Sequence, residues 1–213
     1  ALLARHIYDL SGWEGALVEA EQMLTSAAAL RGRLAETESN YLNLDFEAGS
    51  LAGWAVATPY GGRVQVVGEG QPFAGAVRSG NRLTDTEQIG FLNGRYAASL
   101  VSSGPDIPPD AVVALASKPF LCQYRRLEWD QMPEDEDSVV SVFILDGLTN
   151  EALDGERFDR TRLRTFRNDV YWERFSYDLS GFRGRWIRIQ FQQHTEYALD
   201  GWFALIDNIS LKP

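Results

Sequence analysis

Two segments far apart in the chain alternate apolar and polar side chains in the manner of β-strands. The first is NLDFEAGSLAGW at 43–54, and the second is DGWFALIDNISL at 200–211. A period of two residues places every second side chain on the same face of a sheet. We therefore expect these segments to be the opening and closing strands of one domain, paired side by side.

Further short apolar or alternating runs lie between those segments, separated by Gly, Pro, Asn and Asp residues. Many short strands without helical patterns between them predict a mainly β protein, an antiparallel β-sandwich of the jelly-roll type. The stretch from Asp146 to Tyr171 is predicted to be an insertion loop. The predicted strands are Leu42–Glu47, Gly53–Ala57, Arg63–Val67, Arg95–Val101, Ala111–Ser117, Tyr124–Gln131, Val139–Leu145, Trp172–Asp178, Trp186–Gln193 and Trp202–Leu211.

Residues 1–40 have a different pattern, rich in Ala, Leu and Glu and without alternation. Ser11 followed by Glu14 fits a capping box at the start of an amphipathic α-helix. The helix is predicted either to pack back onto the sandwich or to project as a stem that meets partner helices. We thus divide the chain into a helical stem at 1–40 and a β-sandwich at 43–213. The predicted heptad seam consists of Leu10, Trp13, Leu17, Ala20, Leu24, Ala27 and Leu34.

Composition narrows the classes of function. Hydrophobic residues make up 45% of the chain and aromatic residues 12%, which is enough for a sizeable core. The net charge of −10 disfavours a nucleic-acid partner and an anionic lipid surface. No apolar run approaches the roughly 20 residues that span a bilayer. The chain begins without Met, so we expect a processed product or an excised fragment. Separately, we expect the β-sandwich to be located outside the cell or on its surface.

Cysteine and histidine are scarce. Cys122 is the single cysteine, which excludes an intramolecular disulfide. The two histidines, His6 and His194, lie in different segments. The chain therefore has few residues with which to build a transition-metal cluster or a Ser-His-Asp catalytic triad.

A series of short motifs in order resembles MAM domains and, more broadly, jelly-roll modules that bind polysaccharides. The resemblance covers about 43–213 and implies a concanavalin A-like or galactose-binding-like sandwich. MAM domains carry paired cysteines, whereas Leu44 and Ala52 stand where the first two are expected, so we predict a cysteine-free relative or a convergent jelly roll. The motifs are DFEAGSLAGW at 45–54, LTDTEQIGFLNGRYAASL at 83–100, ALASKPF at 114–120, RLEWDQM at 126–132, SVFILDG at 141–147, VYWERFSYDLSGFRGRWIRIQF at 170–191 and WFALIDNISL at 202–211.

The resemblance also implies a structural Ca²⁺ shared by the first and last strands. It nominates Glu47 and Asp207 as ligands, with Asp45 and Asp85 as further candidates and backbone carbonyls from 94–96. Such oxygens suit Ca²⁺, which takes six to eight hard oxygen ligands. Alternatively, Glu47 and Asp207 cap turns or pair with arginines.

Two carboxylates, Glu128 and Asp130, share one face of a predicted strand, as in the retaining glucanases of similar fold. The next acid, Glu134, follows Pro133 and breaks the alternating pattern of that family. We therefore predict that the protein is not an enzyme, and that this face is solvated.

Aromatic residues are divided between core and surface. Trp54, Trp129, Trp186 and Phe46 are assigned to the core because they alternate within predicted strands. Four others lie at strand ends or in loops and are candidates for a platform on which pyranose rings stack, as an alternative to ordinary edge packing. These four are Tyr60, Tyr171, Tyr197 and Trp202.

Five arginines are concentrated in the predicted insertion, within an otherwise acidic protein. They form either a solvated, self-paired loop or a contact with an acidic surface of a neighbouring subunit. Arg160 and Arg164 are the candidates for that contact. The five are Arg157, Arg160, Arg162, Arg164 and Arg167.

Together these features predict a non-enzymatic surface or extracellular β-sandwich that acts as a structural or adhesive subunit. Its N-terminal helix would mediate assembly into a homo-oligomer or with another partner. The alternative is a carbohydrate-binding module attached through a helical linker, and a remote alternative is a glycan-cleaving enzyme.

Overall fold

The computed structural model describes residues 21–27, 29, 41–68, 94–102, 107–108, 111–133, 138–158, 172–195 and 203–213. The chain divides into two compact units, Ala1–Tyr41 and Leu42–Pro213. In the first unit residues 21–27 are α-helical and their side chains are exposed. Among the described residues, no helix has the length and apolar character needed to cross a membrane.

The second unit is mainly β, and its described strands form two antiparallel sheets, as the sequence predicts. One sheet has six strands in the order β1-β4-β10-β7-β8, with β5 paired to β10. The other has five strands in the order β2-β3-β11-β6-β9. The strands are β1 Trp54–Ala57, β2 Arg63–Gly68, β3 Tyr96–Val101, β4 Val112–Ser117, β5 Phe120–Leu121, β6 Arg126–Pro133, β7 Ser138–Asp146, β8 Ala152–Phe158, β9 Glu173–Asp178, β10 Trp186–Thr195 and β11 Phe203–Lys212.

An aromatic cluster packs between the two sheets. The ring centroids of Trp129 and Phe191 lie 5.6 Å apart in an edge contact, and Phe175 stacks on Trp129 at 5.8 Å. Trp54 contacts both Phe46 at 5.5 Å and Phe191 at 6.1 Å. The predicted core positions of Phe46, Trp54 and Trp129 agree with this packing. Burial of such large side chains is the main stabilisation of the sandwich.

The opening segment is not the predicted strand Leu42–Glu47. Asn43 and Phe46 both have positive φ, 48° and 55°, and turns follow Leu42 instead of extended backbone. The segment still meets the last strand, because the Ile209 amide donates a hydrogen bond to the Leu44 carbonyl at 3.2 Å. Within its sheet, β11 pairs with β3 and β6.

Two strands were not predicted. β8 lies inside the stretch predicted to be an insertion loop and pairs with β7 at the sheet edge. Its Asp154, Gly155 and Glu156 are exposed, so it lacks the apolar alternation of an interior strand. β5 has only two residues. The other nine predicted strands are present, with ends within two residues of those predicted.

The turn after β7 approaches β10 closely at Gly147. Its amide donates to the Trp186 carbonyl at 2.9 Å, and a Cβ there would lie 2.9 Å from the Trp186 carbonyl carbon and 3.1 Å from the Ile187 nitrogen. These are backbone atoms of a paired strand and cannot move aside cheaply. We expect Gly147→Ala to lower the free energy of unfolding by about 1–3 kcal/mol, measured by chemical denaturation.

Gly181 provides the matched control, since a Cβ there would meet nothing within 4 Å. We expect Gly181→Ala to change stability by no more than about 0.5 kcal/mol. Equal denaturation midpoints for the two variants would contradict this account of the turn.

Candidate functional sites

Asp207 is a buried carboxylate with an unsatisfied oxygen. It lies on β11 opposite Asp130 of β6, and it is only 1% exposed. Its Oδ1 accepts the Asn208 amide at 2.6 Å, whereas its Oδ2 is buried and has no hydrogen-bond partner among the described residues. A buried ionised oxygen without a partner is costly, so this position suits a bound cation.

The negative charge of Asp130 is compensated by other residues of this chain. Arg174 Nε donates to its Oδ1 at 2.8 Å and Arg174 Nη2 to its Oδ2 at 2.7 Å. Asn208 Nδ2 donates to the same Oδ2 at 2.6 Å. These bonds to Asp130 raise the pKa of the Arg174 guanidinium. The prediction that this face of β6 is solvated is therefore wrong for Asp130, because register brings Arg174 of β9 beside it.

Glu47 reaches from the opening segment to the start of β3. Its Oε1 accepts the amides of Arg95 at 2.8 Å and Tyr96 at 3.1 Å. The carboxylate occupies the space beside Gly94, where a Cβ would collide with it. Asp45 Oδ1 accepts the Glu47 amide at 3.2 Å. In the segment 94–96, where backbone carbonyl ligands are predicted, the observed contacts with Glu47 are made by the N–H groups of Arg95 and Tyr96.

These carboxylates influence one another through their charges. The pKa of Asp207 is raised to about 7, mainly by burial. The bond from the Asn208 amide lowers this pKa, whereas the negative charges of Glu47, Asp130 and Asp45 raise it. Asp85, the fourth predicted ligand, lies outside the described residues. Within the described ranges, no group of three or more His, Cys, Asp or Glu side chains forms a metal cluster. A cation at Asp207 would therefore need backbone or solvent oxygens as well.

The outer face of the six-stranded sheet carries a second candidate site along its central strand. Ile187, Ile189 and Phe191 of β10 are fully buried, so the alternate residues face outward. We call these outward residues the β10 strip. Successive members lie about 6.7 Å apart along the strand, and together they span its whole length. The strip consists of Trp186, Arg188, Gln190, Gln192 and His194.

The cross-strand neighbours of the two glutamines are small residues, apart from one phenylalanine. Gln192 pairs across with Ala114 on β4 and Ser141 on β7. Gln190 lies between Ala116 and Phe143 in the same way. Both glutamines are half-buried. The result is a shallow surface of amide groups beside one aromatic ring.

Phe143 is held over the neighbouring edge strand. Its ring occupies the space where a Cβ on Gly155 of β8 would lie. Only glycine at that position lets the ring lie flat against the sheet, because any larger residue would displace it. Phe143 therefore presents an apolar surface on the outer face with its ring toward β8, while its backbone pairs with Gln190 of β10.

Trp186 is 52% exposed and stands at one end of the β10 strip. The prediction that it belongs to the core is wrong, because along β10 it falls on the same alternate positions as the outward-facing residues. Its cross-strand neighbour Leu121 is also exposed. The next member of the strip, Arg188, donates from Nη1 to the Ser117 carbonyl at 3.2 Å, which fixes that side chain.

The other predicted site residues are only partly described. Tyr60 is 66% exposed and lies in the turn that follows β1. Tyr171, Tyr197 and Trp202 lie outside the described residues. Among the predicted assembly residues, Leu24 is described and is 57% exposed. The others, which lie outside the described residues, are Leu10, Trp13, Leu17, Leu34, Arg160 and Arg164.

The β10 strip is not among the sites predicted from the sequence. The signal was present in WIRIQFQQH at 186–194, where apolar residues alternate with long polar ones. The apolar positions of this pattern predict a strand. Its polar positions, taken together, mark the outward face on which the strip lies.

No protein-family model matches the chain, and no curated protein matches it. Solved structures of similar fold include a cleaved adhesin domain of Lys-gingipain from Porphyromonas gingivalis, at 15% identity and a TM-score of 0.53, covering 79% of this chain and 95% of that one. A CBM27-1 module from Caldicellulosiruptor saccharolyticus, in complex with mannohexaose, has 20% identity and a TM-score of 0.51, covering 80% and 95%.

A structure described as one of the carbohydrate-binding modules of the β-sandwich superfamily has 14% identity and a TM-score of 0.52. It covers 80% of this chain, which spans 61% of that one. At these identities the likeness shows the fold. The chain has the β-sandwich fold found in carbohydrate-binding modules and in an adhesin domain.

The raised pKa of Asp207 predicts a pH dependence of stability in the absence of divalent cations. The unfolded carboxyl titrates near 3.9, so between that value and about 7 the folded protein holds a proton that the unfolded chain releases. Stability should therefore fall as the pH rises from about 4 to about 7 and level off above that. Asp207→Asn removes this loss and should melt higher than the wild type at about pH 8 in chelator.

Melting temperatures measured in chelator from about pH 5 to about pH 8 test this. Asp146→Asn is the control, because amide donors from Thr149 and Leu148 lower the pKa of Asp146. That variant should lose stability above about pH 4, with no gain at about pH 8. An Asp207→Asn melting profile parallel to the wild type would contradict the burial of an unsatisfied charge.

Proposed function

We propose that the sandwich binds carbohydrate through the outer face of its six-stranded sheet and that it is not an enzyme. The β10 strip is the observation that carries this proposal. Sugars present hydroxyl groups that need donors and acceptors, and ring faces that pack on aromatic surfaces. The strip supplies both kinds of contact on one surface.

The two glutamines are suited to hydroxyl recognition. Each side-chain amide has two N–H donors and a carbonyl acceptor, so it can either donate a hydrogen bond to a sugar hydroxyl or accept one from it. Gln190 and Gln192 lie on one paired strand, which keeps them about 6.7 Å apart and rigidly spaced. Phe143 on the neighbouring strand β7 and Trp186 at the end of the strip supply apolar faces. Such a row suits an extended saccharide chain laid along β10.

The structural comparisons support this proposal over an adhesive subunit without a glycan ligand. The CBM27-1 neighbour is in complex with mannohexaose. The cleaved adhesin neighbour is consistent with our proposal that this protein acts outside the cell or on its surface. An adhesive role is compatible with glycan binding.

The absence of catalysis is proposed from the state of Asp130. Both of its oxygens are engaged by Arg174, and one of them also by Asn208. A carboxylate so engaged is a poor nucleophile and a poor general acid. Its strand neighbour Glu128 lies 3.8 Å from the Arg126 guanidinium.

We further propose that Asp207 and Glu47 hold a structural Ca²⁺. The unsatisfied Oδ2 of Asp207 fits such an ion, and Glu47 is close enough to raise the Asp207 pKa. When bound, the ion supplies the positive charge that this buried carboxylate lacks. It would also join the opening segment to β11, whose backbones already meet at Leu44 and Ile209.

The glycan proposal predicts that truncating the strip weakens binding. A soluble polysaccharide panel that includes mannohexaose, followed by calorimetry on the strongest binder, measures the affinity. Gln190→Ala and Gln192→Ala should each weaken it about tenfold, since each loses hydrogen bonds worth about 0.5–1.5 kcal/mol apiece. Gln123→Ala, at an exposed glutamine between β5 and β6, is the matched control and should bind like the wild type.

Failure of the wild type to bind any member of the panel would contradict the glycan proposal. Binding that survives loss of both glutamines would place the ligand on another surface.

We also propose, as the sequence predicts, that the N-terminal segment mediates assembly. Met23 and Leu24 are exposed in 21–27, and clustered exposed apolar residues favour association. Leu24→Asp should lower the solution mass measured by light scattering, because a charge is costly in a helix seam. Gln22→Ala is the control and should leave the mass unchanged. A monomeric intact chain would contradict assembly.

A further inference from the structure

We propose that Asn208 is the positioning residue of the cation site. It bonds two buried carboxylates at once and thereby turns the unsatisfied oxygen of Asp207 toward the cation. This inference rests on the proposed binding of Ca²⁺. It assigns a role to a half-buried residue that contacts both carboxylates.

Both contacts of Asn208 are short. Its backbone amide donates to Asp207 Oδ1 at 2.6 Å, and its side-chain Nδ2 donates to Asp130 Oδ2 at 2.6 Å. Because one oxygen of Asp207 is held in this way, the orientation of the whole carboxylate is fixed. The oxygen left over, Oδ2, is the one without a partner among the described residues.

The backbone conformation makes the double contact possible. Asn208 has a φ of 51°, and the pairing of β11 with β6 changes register between Asp207 and Ser210. Such a bulge re-aims the side chains beside it. Asparagine tolerates positive φ better than most residues, and it adds the Nδ2 donor that glycine lacks.

The number of buried negative charges without a positive partner indicates how many cations the site binds. Asp130 and Asp207 are cross-strand neighbours, so two like charges are buried side by side. Arg174 compensates the first through two bonds, and the Asn208 side chain completes that pair. One buried charge remains, at Asp207. We therefore expect one Ca²⁺ per chain at this site.

The test is a calcium titration of the intact chain by calorimetry, with melting temperatures measured in chelator. Asn208→Gly keeps the positive φ and the backbone amide but removes the bond to Asp130. The bond to Asp130 anchors Asn208, so its loss loosens the backbone amide that orients Asp207. Loss of the contacts that orient a metal ligand typically costs 10–100-fold in metal affinity, and we expect a loss of about that size. A merely structural role would lower the melting temperature in chelator and leave the calcium affinity unchanged.

Asn150→Gly is the matched control. Asn150 also has positive φ, 62°, and it lies in the β7–β8 turn, where its amide donates to the Asp146 carbonyl at 3.0 Å. It should bind calcium like the wild type. Wild-type affinity in Asn208→Gly would overturn the positioning role while leaving the cation site intact. A wild type that shows neither heat nor a melting shift with Ca²⁺ would overturn the cation site and this role with it.

If Asn208→Gly does not fold, NMR of the wild-type protein tests the positioning role of Asn208 instead. The backbone and side-chain amide signals of Asn208 should both shift on addition of Ca²⁺, while those of Asn150 stay in place. Static Asn208 signals in a protein that binds the ion would overturn the proposal.

Discussion

The two-residue period of β10 ties the core of this protein to its candidate binding surface. Ile187, Ile189 and Phe191 are fully buried, and Phe191 contacts both Trp54 and Trp129. Because these residues must face inward, Gln190 and the rest of the β10 strip must face outward. A slip of one residue would bury the polar strip and expose the apolar set, so core packing enforces the geometry of the site.

A second constraint acts at the seam between the opening segment and β11. There Asp207 brings a buried charge next to Asp130, and among the described residues Arg174 is the ion-pair partner of Asp130 while Asp207 has none. Burying an uncompensated charge costs several kcal/mol in a protein interior. A bound cation would offset that cost and would fasten the two ends of a sandwich whose single cysteine forms no disulfide. The proposed binding face and the proposed cation site lie on different sheets, so substitutions at one should leave the other unaffected.

The sequence predicted the fold class well because interior strands alternate strongly. It failed where local conformation departs from alternation: Asn43 and Phe46 take positive φ within a pattern that looks extended. It missed β8 because an edge strand with exposed Asp154 and Glu156 resembles a polar loop. The resemblance nominated Glu47 and Asp207, but the Arg174–Asp130 pair joins residues 44 positions apart and depends on the register of β6 and β9.

The central claim is that saccharide binds along β10. The most direct measurement is NMR of the side-chain amide groups during titration with mannohexaose and then with other soluble oligosaccharides. The account predicts shifts of the Gln190 and Gln192 amides and of the exposed Trp186 indole, with the amide of Gln123 unmoved. Shifts confined to other surfaces, or no shift with any oligosaccharide, would contradict it.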